Sequence, residues 1–163
     1  MPTDPSASAD RPLAEGIEVR PARANEIDDL LPLMRGYCDF YESNPSDDGL
    51  RTMARTLIED PEQGALFIAR EGDGEAIGFA SLDWKWSSTR GSRIGYLEDL
   101  FVDAERRGGG VAEALIEACA ERCRERGLPV LNWMTAPDNR RAQSVYERVG
   151  AEGSDWVEYE LEL

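Results

Sequence analysis

Val102-Asp-Ala-Glu-Arg-Arg-Gly-Gly-Gly-Val-Ala112 joins the end of an apolar strand to the start of an amphipathic helix. Three consecutive glycines let the backbone adopt positive φ and keep side chains out of the turn. Successive backbone N–H groups can then converge at the positive end of the following helix, which favours binding of a phosphate or pyrophosphate. Many glycine-rich turns are only tight connections, so the residues of this turn leave both interpretations open.

The same turn does not fit two common nucleotide-binding motifs. A P-loop requires GxxxxGK[ST], and Lys85 is the only lysine of the chain. The dinucleotide-binding pattern GxGxxG is not met either, because Glu113 stands where its third glycine belongs. The sequence therefore ranks ATP hydrolysis and NAD chemistry well below other functions.

Length and composition indicate one globular domain. The chain has 163 residues, of which 41% are hydrophobic and 31% charged. We expect residues 1–16, rich in Pro, Ala, Ser and Asp, to be a disordered lead-in, and residues 17–163 to form the domain. No apolar run approaches the ~20 residues of a membrane span, and no secretory signal pattern is present. These features predict a cytoplasmic protein without a membrane partner.

The net charge of the chain indicates which kinds of partner it can bind. A net charge of -15 and a pI near 4.4 argue against a nucleic-acid partner, because phosphate binding needs clustered Lys and Arg. The acidic surface serves either solubility or the attraction of cationic acceptors such as amines. Both interpretations remain open at this point.

The missing histidine excludes further classes of enzyme. Serine and cysteine hydrolases with a catalytic histidine, and HExxH proteases, all need an imidazole that this chain lacks. Cys119 and Cys123 lie one helical turn apart, but without histidine or a second cysteine pair we expect core cysteines and no metal site. Proton transfer must therefore use a carboxylate, tyrosine, cysteine, the single lysine or water.

Apolar periodicity predicts the order β-α-α-β-β-β-α-β-α-β, a mixed sheet with helices on both faces and hence an α/β fold. Strands are predicted at 17–20, 65–69, 76–84, 94–102, 130–135 and 156–163. The first helix is predicted to start at an Asn25 cap and to break or kink at Pro32, and a short second helix to cover 50–58. A third helix is predicted at 111–123, and a fourth, capped by Asp138, ends at Gly150.

Two stretches at the proper spacing resemble the GNAT superfamily of N-acetyltransferases. Strand 96–102 with the turn 107–112 is similar to its acetyl-CoA-binding motif, Gln/Arg-x-x-Gly-x-Gly/Ala, and Asn139-x-x-Ala142-x-x-x-Tyr146-Glu147-x-x-Gly150 resembles its second motif. The resemblance covers about residues 17–163. The finer likeness is to diamine and polyamine (spermidine/spermine) acetyltransferases.

The resemblance implies a GNAT fold, with a mixed, mostly antiparallel central sheet between helical layers (α-β-α) and a β-bulge and splay at the cofactor strand. It also implies acetyl-CoA as the acyl donor, with β-strand backbone pairing to the pantetheine arm and turn N–H groups holding the pyrophosphate. Glu113 is expected to point away from the phosphates. The implied acetyl-CoA-binding residues are Leu100, Phe101, Val102, Arg107, Gly108, Gly109, Gly110, Val111, Ala112, Glu113, Asn139 and Ala142.

The reaction needs a neutral amine against the thioester carbon and a proton for the departing thiolate. Tyr146 stands where the family keeps its general acid; the alternative is a core aromatic. Glu98 is the preferred carboxylate on the acceptor side, where it would either bind an ammonium group or remove its proton through water. The alternative is a structural carboxylate that is hydrogen-bonded to an arginine or to the backbone. Asp99 points to the opposite face in a regular strand, unless a bulge intervenes.

The acceptor site is predicted from aromatic and acidic residues of the first helix and from the strand before the second motif. The expected residues are Tyr37, Tyr41 and Glu98 and, by resemblance to substrate-side positions of the polyamine enzymes, Asn132, Trp133 and Met134. We expect a small-molecule amine acceptor and, from the family, a possible homodimer. The first-helix cluster equally suits a core seam or a dimer contact. Peptide or protein acetylation, and a non-catalytic acyl-CoA-binding regulatory domain, remain as alternatives.

Overall fold

One sheet carries the architecture, in the strand order β1-β2-β3-β4-β5. The computed structural model describes residues 13–72 and 74–163. The strands are β1 Ile17–Pro21, β2 Gly64–Glu71, β3 Ala76–Ser87, β4 Ser92–Val102 and β5 Leu131–Asn132. The first four pair antiparallel and β5 runs parallel to β4, which confirms the predicted mixed, mostly antiparallel sheet.

Helices cover both faces of this sheet. Helices α1 (Ile27–Phe40) and α2 (Asp47–Glu59) pack on one face, and α3 (Val111–Glu125) and α4 (Arg140–Arg148) on the other. Strand β2 is apolar along most of its length because it contacts both helical layers. Leu66 and Ile68 belong to the core with α1 and α2, whereas Phe67 and Ala69 belong to the core with α3. The three-layer α-β-α prediction is confirmed.

The predicted N-caps of α1 and α4 are both wrong. Helix α1 follows a short 3₁₀ turn that contains Asn25, and it passes through Pro32 without a break. The burial of Leu30 and its neighbours against the sheet outweighs the one hydrogen bond that the proline removes. Helix α4 is capped by Asn139 and not by Asp138, since Asn139 Oδ1 accepts a hydrogen bond from the Ala142 N–H at 3.2 Å.

The late strands also differ from the prediction. The ladder between β4 and β5 covers only Leu131 and Asn132 of the predicted strand 130–135, because the two strands then diverge. The last predicted strand, 156–163, is absent: these residues adopt neither helix nor strand. A strand needs backbone hydrogen bonds to a neighbouring edge, and residues 156–163 make none with the described chain.

Most of the predicted lead-in, residues 1–12, lies outside the described residues. Within the described part of residues 1–16, Leu13 packs against the α3-side core, and the Ala14 N–H donates a hydrogen bond to the Gly109 carbonyl at 3.1 Å. This contact connects the chain before β1 to the glycine turn.

All three cysteines are free and buried. Cys119 and Cys123 lie in the core between α3 and the sheet, where burial raises the pKa of Cys123 to about 11. In the described ranges, no cluster of three metal-ligating side chains occurs. Nor does any helix there have the length and apolarity to cross a membrane.

The close approach of α3 to β4 depends on Gly95. A Cβ atom at this position would lie 2.3 Å from Cys123 Sγ, so the Gly95→Ala variant is expected to lose ~1–3 kcal/mol of unfolding free energy through overpacking. Urea denaturation measures this loss. Gly153→Ala is the control, because its Cβ would meet nothing within 4 Å. Adding Cys123→Ala should recover part of the loss, whereas strictly additive effects would contradict the assigned clash.

Candidate active site

A β-bulge in β4 sets the orientation of the two candidate carboxylates. Ser81 pairs with Asp99 and Leu82 pairs with Leu97, so Glu98 is the extra residue. Asp99 is buried, and its Oδ2 accepts a hydrogen bond from the Ser81 hydroxyl at 2.6 Å. The strand is therefore not regular at Asp99, and the bulge that the sequence left open is present. Glu98 stays exposed to solvent.

Beyond the bulge, β4 and β5 separate. Their ladder consists of Gly95 with Leu131 and Tyr96 with Asn132 only, so the end of β4 has no neighbour on that side among the described strands. A cleft of about 420 Å³ opens at this point, between α1, the end of β4, the start of α3 and α4. The expected splay at the cofactor strand is thus present.

The glycine turn forms one end of this cleft. Gly108 and Gly110 have φ of 89° and 78°, in the left-handed region that favours glycine. Gly110 is the N-cap of α3 and offers no side chain to its first N–H groups. These donors sit at the positive end of the helix and are available to an anion.

Arginines surround the same end of the cleft. Arg107 Nε donates a hydrogen bond to the Val102 carbonyl at 3.0 Å, which fixes the turn to the end of β4. Arg148 pairs with Glu113 at 2.7 Å, so the negative charge that stands near the turn is neutralised. Neither Arg107 nor Arg141 makes an ion pair within the described residues. Both are available for a polyanionic ligand.

Sequence reasoning missed Arg106, Arg141 and Arg148 as lining residues of the cleft. The sequence could have indicated two of them. Arg141 and Arg148 are seven residues apart, so they lie on the same face of α4 as Val145, the neighbour of Tyr146. Nothing local distinguishes Arg106, which reaches the cleft from the turn and also pairs with Glu71 at 3.0 Å.

Tyr146 lies on the opposite wall of the cleft. Its ring packs edge-on against Trp133, with centroids 5.3 Å apart and planes at 76°. Burial, and then the nearby Tyr41 hydroxyl, raise the pKa of Tyr146 above its usual 10. The phenol therefore keeps its proton at neutral pH and can donate it to a stronger base.

Glu98 faces a second cavity of about 540 Å³, which Asp83 and Glu158 also line. Partial burial, followed by the charges of Asp99, Asp83 and Glu158, raises the pKa of Glu98. Like charges held together in this way are stabilised by a cation. Lys85 is the one basic side chain among the described residues that line this cavity, and it stands over the Tyr96 ring at 5.0 Å.

The structure brings most predicted site residues to these two cavities. Tyr37, Tyr41 and Tyr146 line the first cleft together with the predicted acetyl-CoA set, apart from Gly109 and Gly110, which form the turn behind it. Met134 lines the second cavity with Glu98.

Two predicted acceptor residues line neither cavity. Asn132 pairs with Tyr96 in the sheet, and Trp133 supports the Tyr146 ring. Asn139 lines the first cleft, although its side-chain oxygen is used to cap α4.

The family model described as the acetyltransferase (GNAT) family matches residues 30–151. An uncharacterized N-acetyltransferase of Bacillus subtilis is 30% identical over 90% of this chain and 98% of its own length. A D-amino-acid N-acetyltransferase of Saccharomyces cerevisiae is 38% identical over 72% of this chain and 73% of its own. An aminoglycoside N(6')-acetyltransferase of Stenotrophomonas maltophilia is 29% identical over 70% and 75%.

A solved structure adds a ligand to the comparison. An aminoglycoside N-acetyltransferase in complex with CoA is similar to this chain with a TM-score of 0.77 and 25% identity, over 90% of this chain and 94% of the other. With this coverage and TM-score, the two chains share the fold.

Proposed function

The chain belongs to the acetyltransferase (GNAT) family, with acetyl-CoA as acyl donor, and on that premise we propose that it acetylates a primary amine of a small polycationic molecule, such as a diamine or polyamine. One observation carries the proposal. The glycine turn, the unpaired end of β4 and Tyr146 meet in a single cleft, and a carboxylate-lined cavity lies at the bulge beside it.

The residues of the cleft fit the acyl donor. The first N–H groups of α3, with Arg107 and Arg141, suit the pyrophosphate because they supply donors and positive charge, and the nearby Glu113 carboxylate is paired with Arg148. The unpaired edge of β4 at Leu100–Val102 suits the amide groups of the pantetheine arm, which can take the place of a missing strand.

The acyl transfer follows from the same placement. The amine lone pair attacks the thioester carbon, the C–N bond forms, and the C–S bond breaks to release a thiolate. The Tyr146 hydroxyl gives its proton to that thiolate and is later reprotonated from solvent. The nitrogen loses its proton through water to Glu98, whose raised pKa makes it a better base than an ordinary glutamate.

The acidic cavity favours a cationic acceptor. Asp83, Glu98 and Glu158 lie around it, and Trp84, Tyr96 and Trp156 add aromatic faces on which an ammonium can bind. Two relatives carry names that specify small amines, an aminoglycoside and a D-amino acid, which favours a small acceptor over a protein. Several carboxylates in one cavity favour an acceptor with more than one ammonium group.

Acceptor identity is tested by thiol release from acetyl-CoA across polyamines, diamines, aminoglycosides, D-amino acids and peptides. We expect kcat/KM to be largest for a diamine or polyamine. A preference for peptides would replace the proposal with protein acetylation, and thermal stabilisation by acetyl-CoA without turnover of any amine would indicate a binding domain.

Replacing Glu98 by Gln is expected to raise the amine KM roughly tenfold, because one charge-assisted contact to the ammonium is lost. The KM for acetyl-CoA should stay unchanged. Glu121→Gln, on the exposed face of α3, is the matched control.

The pH dependence of the amine KM tests the same assignment. The carboxylate binds a cation only when ionised, and the pKa of Glu98 is raised. The wild-type KM should therefore rise as the pH falls toward that raised pKa, earlier than for an ordinary glutamate. A profile that Glu98→Gln leaves unaltered would remove Glu98 from the acceptor site.

A further inference from the structure

The three glycines of the turn, residues 108–110, have no side chains that could fix their own backbone. Glycine also loses more conformational freedom on ordering than any other residue. Arg107 fixes only the first part of the turn, through its hydrogen bond to the Val102 carbonyl. Among the described residues, one hydrogen bond reaches the glycines from outside the turn and α3: the Ala14 N–H donates to the Gly109 carbonyl at 3.1 Å.

The segment before β1, residues 13–16, is itself held by the sheet. The Ile17 N–H donates a hydrogen bond to the Ala14 carbonyl at 3.2 Å, which closes a tight turn at the start of β1. Gly16 has φ of 83° in this turn, the value that the second central residue of a type II turn requires. The Gly16 carbonyl in turn accepts a hydrogen bond from the Gly72 N–H at 2.6 Å. The Ala14 N–H is therefore placed by the sheet, independently of the glycines that it contacts.

This hydrogen bond also determines where the next N–H group points. A trans peptide is planar, and its C=O and N–H point in opposite directions. Because the Gly109 carbonyl points to Ala14, the Gly110 N–H of the same peptide points away from the segment before β1. Gly108 and Val111, on either side of this peptide, line the cleft, and the segment before β1 does not. The Gly110 N–H therefore faces the cleft side of the turn, where it meets no acceptor among the described residues.

The opposite orientation of this peptide would oppose an anionic ligand. A half-turn of the peptide changes ψ of Gly109 and φ of Gly110 together, and a pair of glycines tolerates both conformations. The Gly109 carbonyl, a partial negative charge, would then face the side of the turn that suits the pyrophosphate. The observed φ of 78° at Gly110 goes with the orientation in which the N–H has that place. An external contact is needed to favour this orientation, because the glycines themselves favour neither.

We propose that the backbone N–H of Ala14 is a positioning group for acetyl-CoA. It holds the peptide between Gly109 and Gly110 in the orientation that presents the Gly110 N–H to the pyrophosphate. The turn is then ordered before the ligand arrives, so binding does not have to offset the loss of glycine entropy. The segment before β1 thus contributes to acetyl-CoA binding without contacting the cofactor. This role concerns the acyl donor alone, so it holds whichever amine is the acceptor.

The Ala14→Pro variant removes the donor and tests this role in the full chain. Its Kd for CoA, measured by calorimetric titration, is expected to rise roughly tenfold, because a hydrogen bond to a charged group is lost. Its Kd for S-acetylpantetheine, which has the thioester and the pantetheine arm but no pyrophosphate, should stay unchanged. Glu15→Pro is the matched control, since the Glu15 N–H donates to no described acceptor and the first central position of a type II turn favours proline. Its Kd for CoA should equal that of the wild type.

An unchanged Kd for CoA in Ala14→Pro would overturn the proposal. Equal losses of affinity in the two proline variants, or for CoA and S-acetylpantetheine alike, would overturn it as well, because either would indicate general disruption near β1.

Hydrogen exchange of the wild-type protein, followed by NMR, needs no variant and so decides the matter even if Ala14→Pro fails to fold. The Ala14 amide should exchange slowly with and without CoA, since its acceptor is the Gly109 carbonyl in both states. The Gly110 amide should exchange slowly only when CoA is bound. A Gly110 amide that CoA leaves unprotected, or an Ala14 amide that exchanges freely without CoA, would overturn the proposal.

Discussion

Replacing Tyr146 by Phe is expected to lower kcat by ~100-fold or more, the usual contribution of a positioned general acid. The ring stays in its edge-on contact with Trp133, so the fold and the cleft are preserved and only the proton donor is lost. The Kd for acetyl-CoA should remain within twofold of the wild type. Single-turnover kinetics together with a direct binding titration measure the two quantities separately.

The pH profile distinguishes an acid from a packing residue at this position. A tyrosine acts as an acid only while protonated, and the pKa of Tyr146 is raised above 10. The wild-type kcat should therefore persist to high pH and fall only as the pH rises through that raised pKa, and the Phe variant should lack this fall. Tyr159→Phe, at an exposed ring, is the matched control. An undiminished kcat in Tyr146→Phe would remove the assignment.

Replacing Gly110 by Val should weaken acetyl-CoA binding by ~10–100-fold. A β-branched residue at φ of 78° costs ~1–3 kcal/mol, and the strain is relieved only if the turn rotates. Rotation moves the N–H groups at the start of α3 away from the phosphates, and each hydrogen bond to a charged group is worth ~1.5–3 kcal/mol. Isothermal titration with acetyl-CoA measures the loss.

The other end of α3 provides the control. Gly127 also has a left-handed φ, of 66°, and nothing lies within 4 Å of a Cβ placed there. Gly127→Val should therefore suffer a similar loss of stability while the affinity for acetyl-CoA stays unchanged. Equal loss of affinity in both variants would mean that the Gly110 effect is general destabilisation and not a local effect on the turn.

Much of the fold follows from local patterns. The sequence of β2 predicts the three-layer arrangement. Its four consecutive apolar residues, Leu66, Phe67, Ile68 and Ala69, need apolar contacts on both faces of the sheet. The left-handed glycines that end α3 and α4 are visible as glycines at the right distance after an apolar periodicity. Of the break or kink predicted at Pro32, the break is absent, because packing against the sheet stabilises a continuous helix.

Less of the candidate site than of the fold could be predicted from the sequence. The turn and Tyr146 carry motif positions, so the sequence already indicated that they act together. The pairing of Glu113 with Arg148 removes the apparent conflict of a carboxylate beside the turn, and the two residues are 35 positions apart. Asn132 and Trp133 are acceptor candidates by resemblance alone; in the structure Asn132 pairs with Tyr96 in the sheet and Trp133 packs against the Tyr146 ring.

By itself, the sequence determined what depends on neighbours along the chain: the glycine turn before α3, the apolar faces of the helices, and the absence of an imidazole. The resemblance implied a bulge and a splay at this strand, but the tertiary structure decided that the bulge falls at Glu98, that the ladder between β4 and β5 ends at Asn132, and that residues 156–163 stay unpaired. The physical reason is that a strand's register and its edge depend on hydrogen bonds to residues far away in the chain, and the strand's own alternation does not specify them.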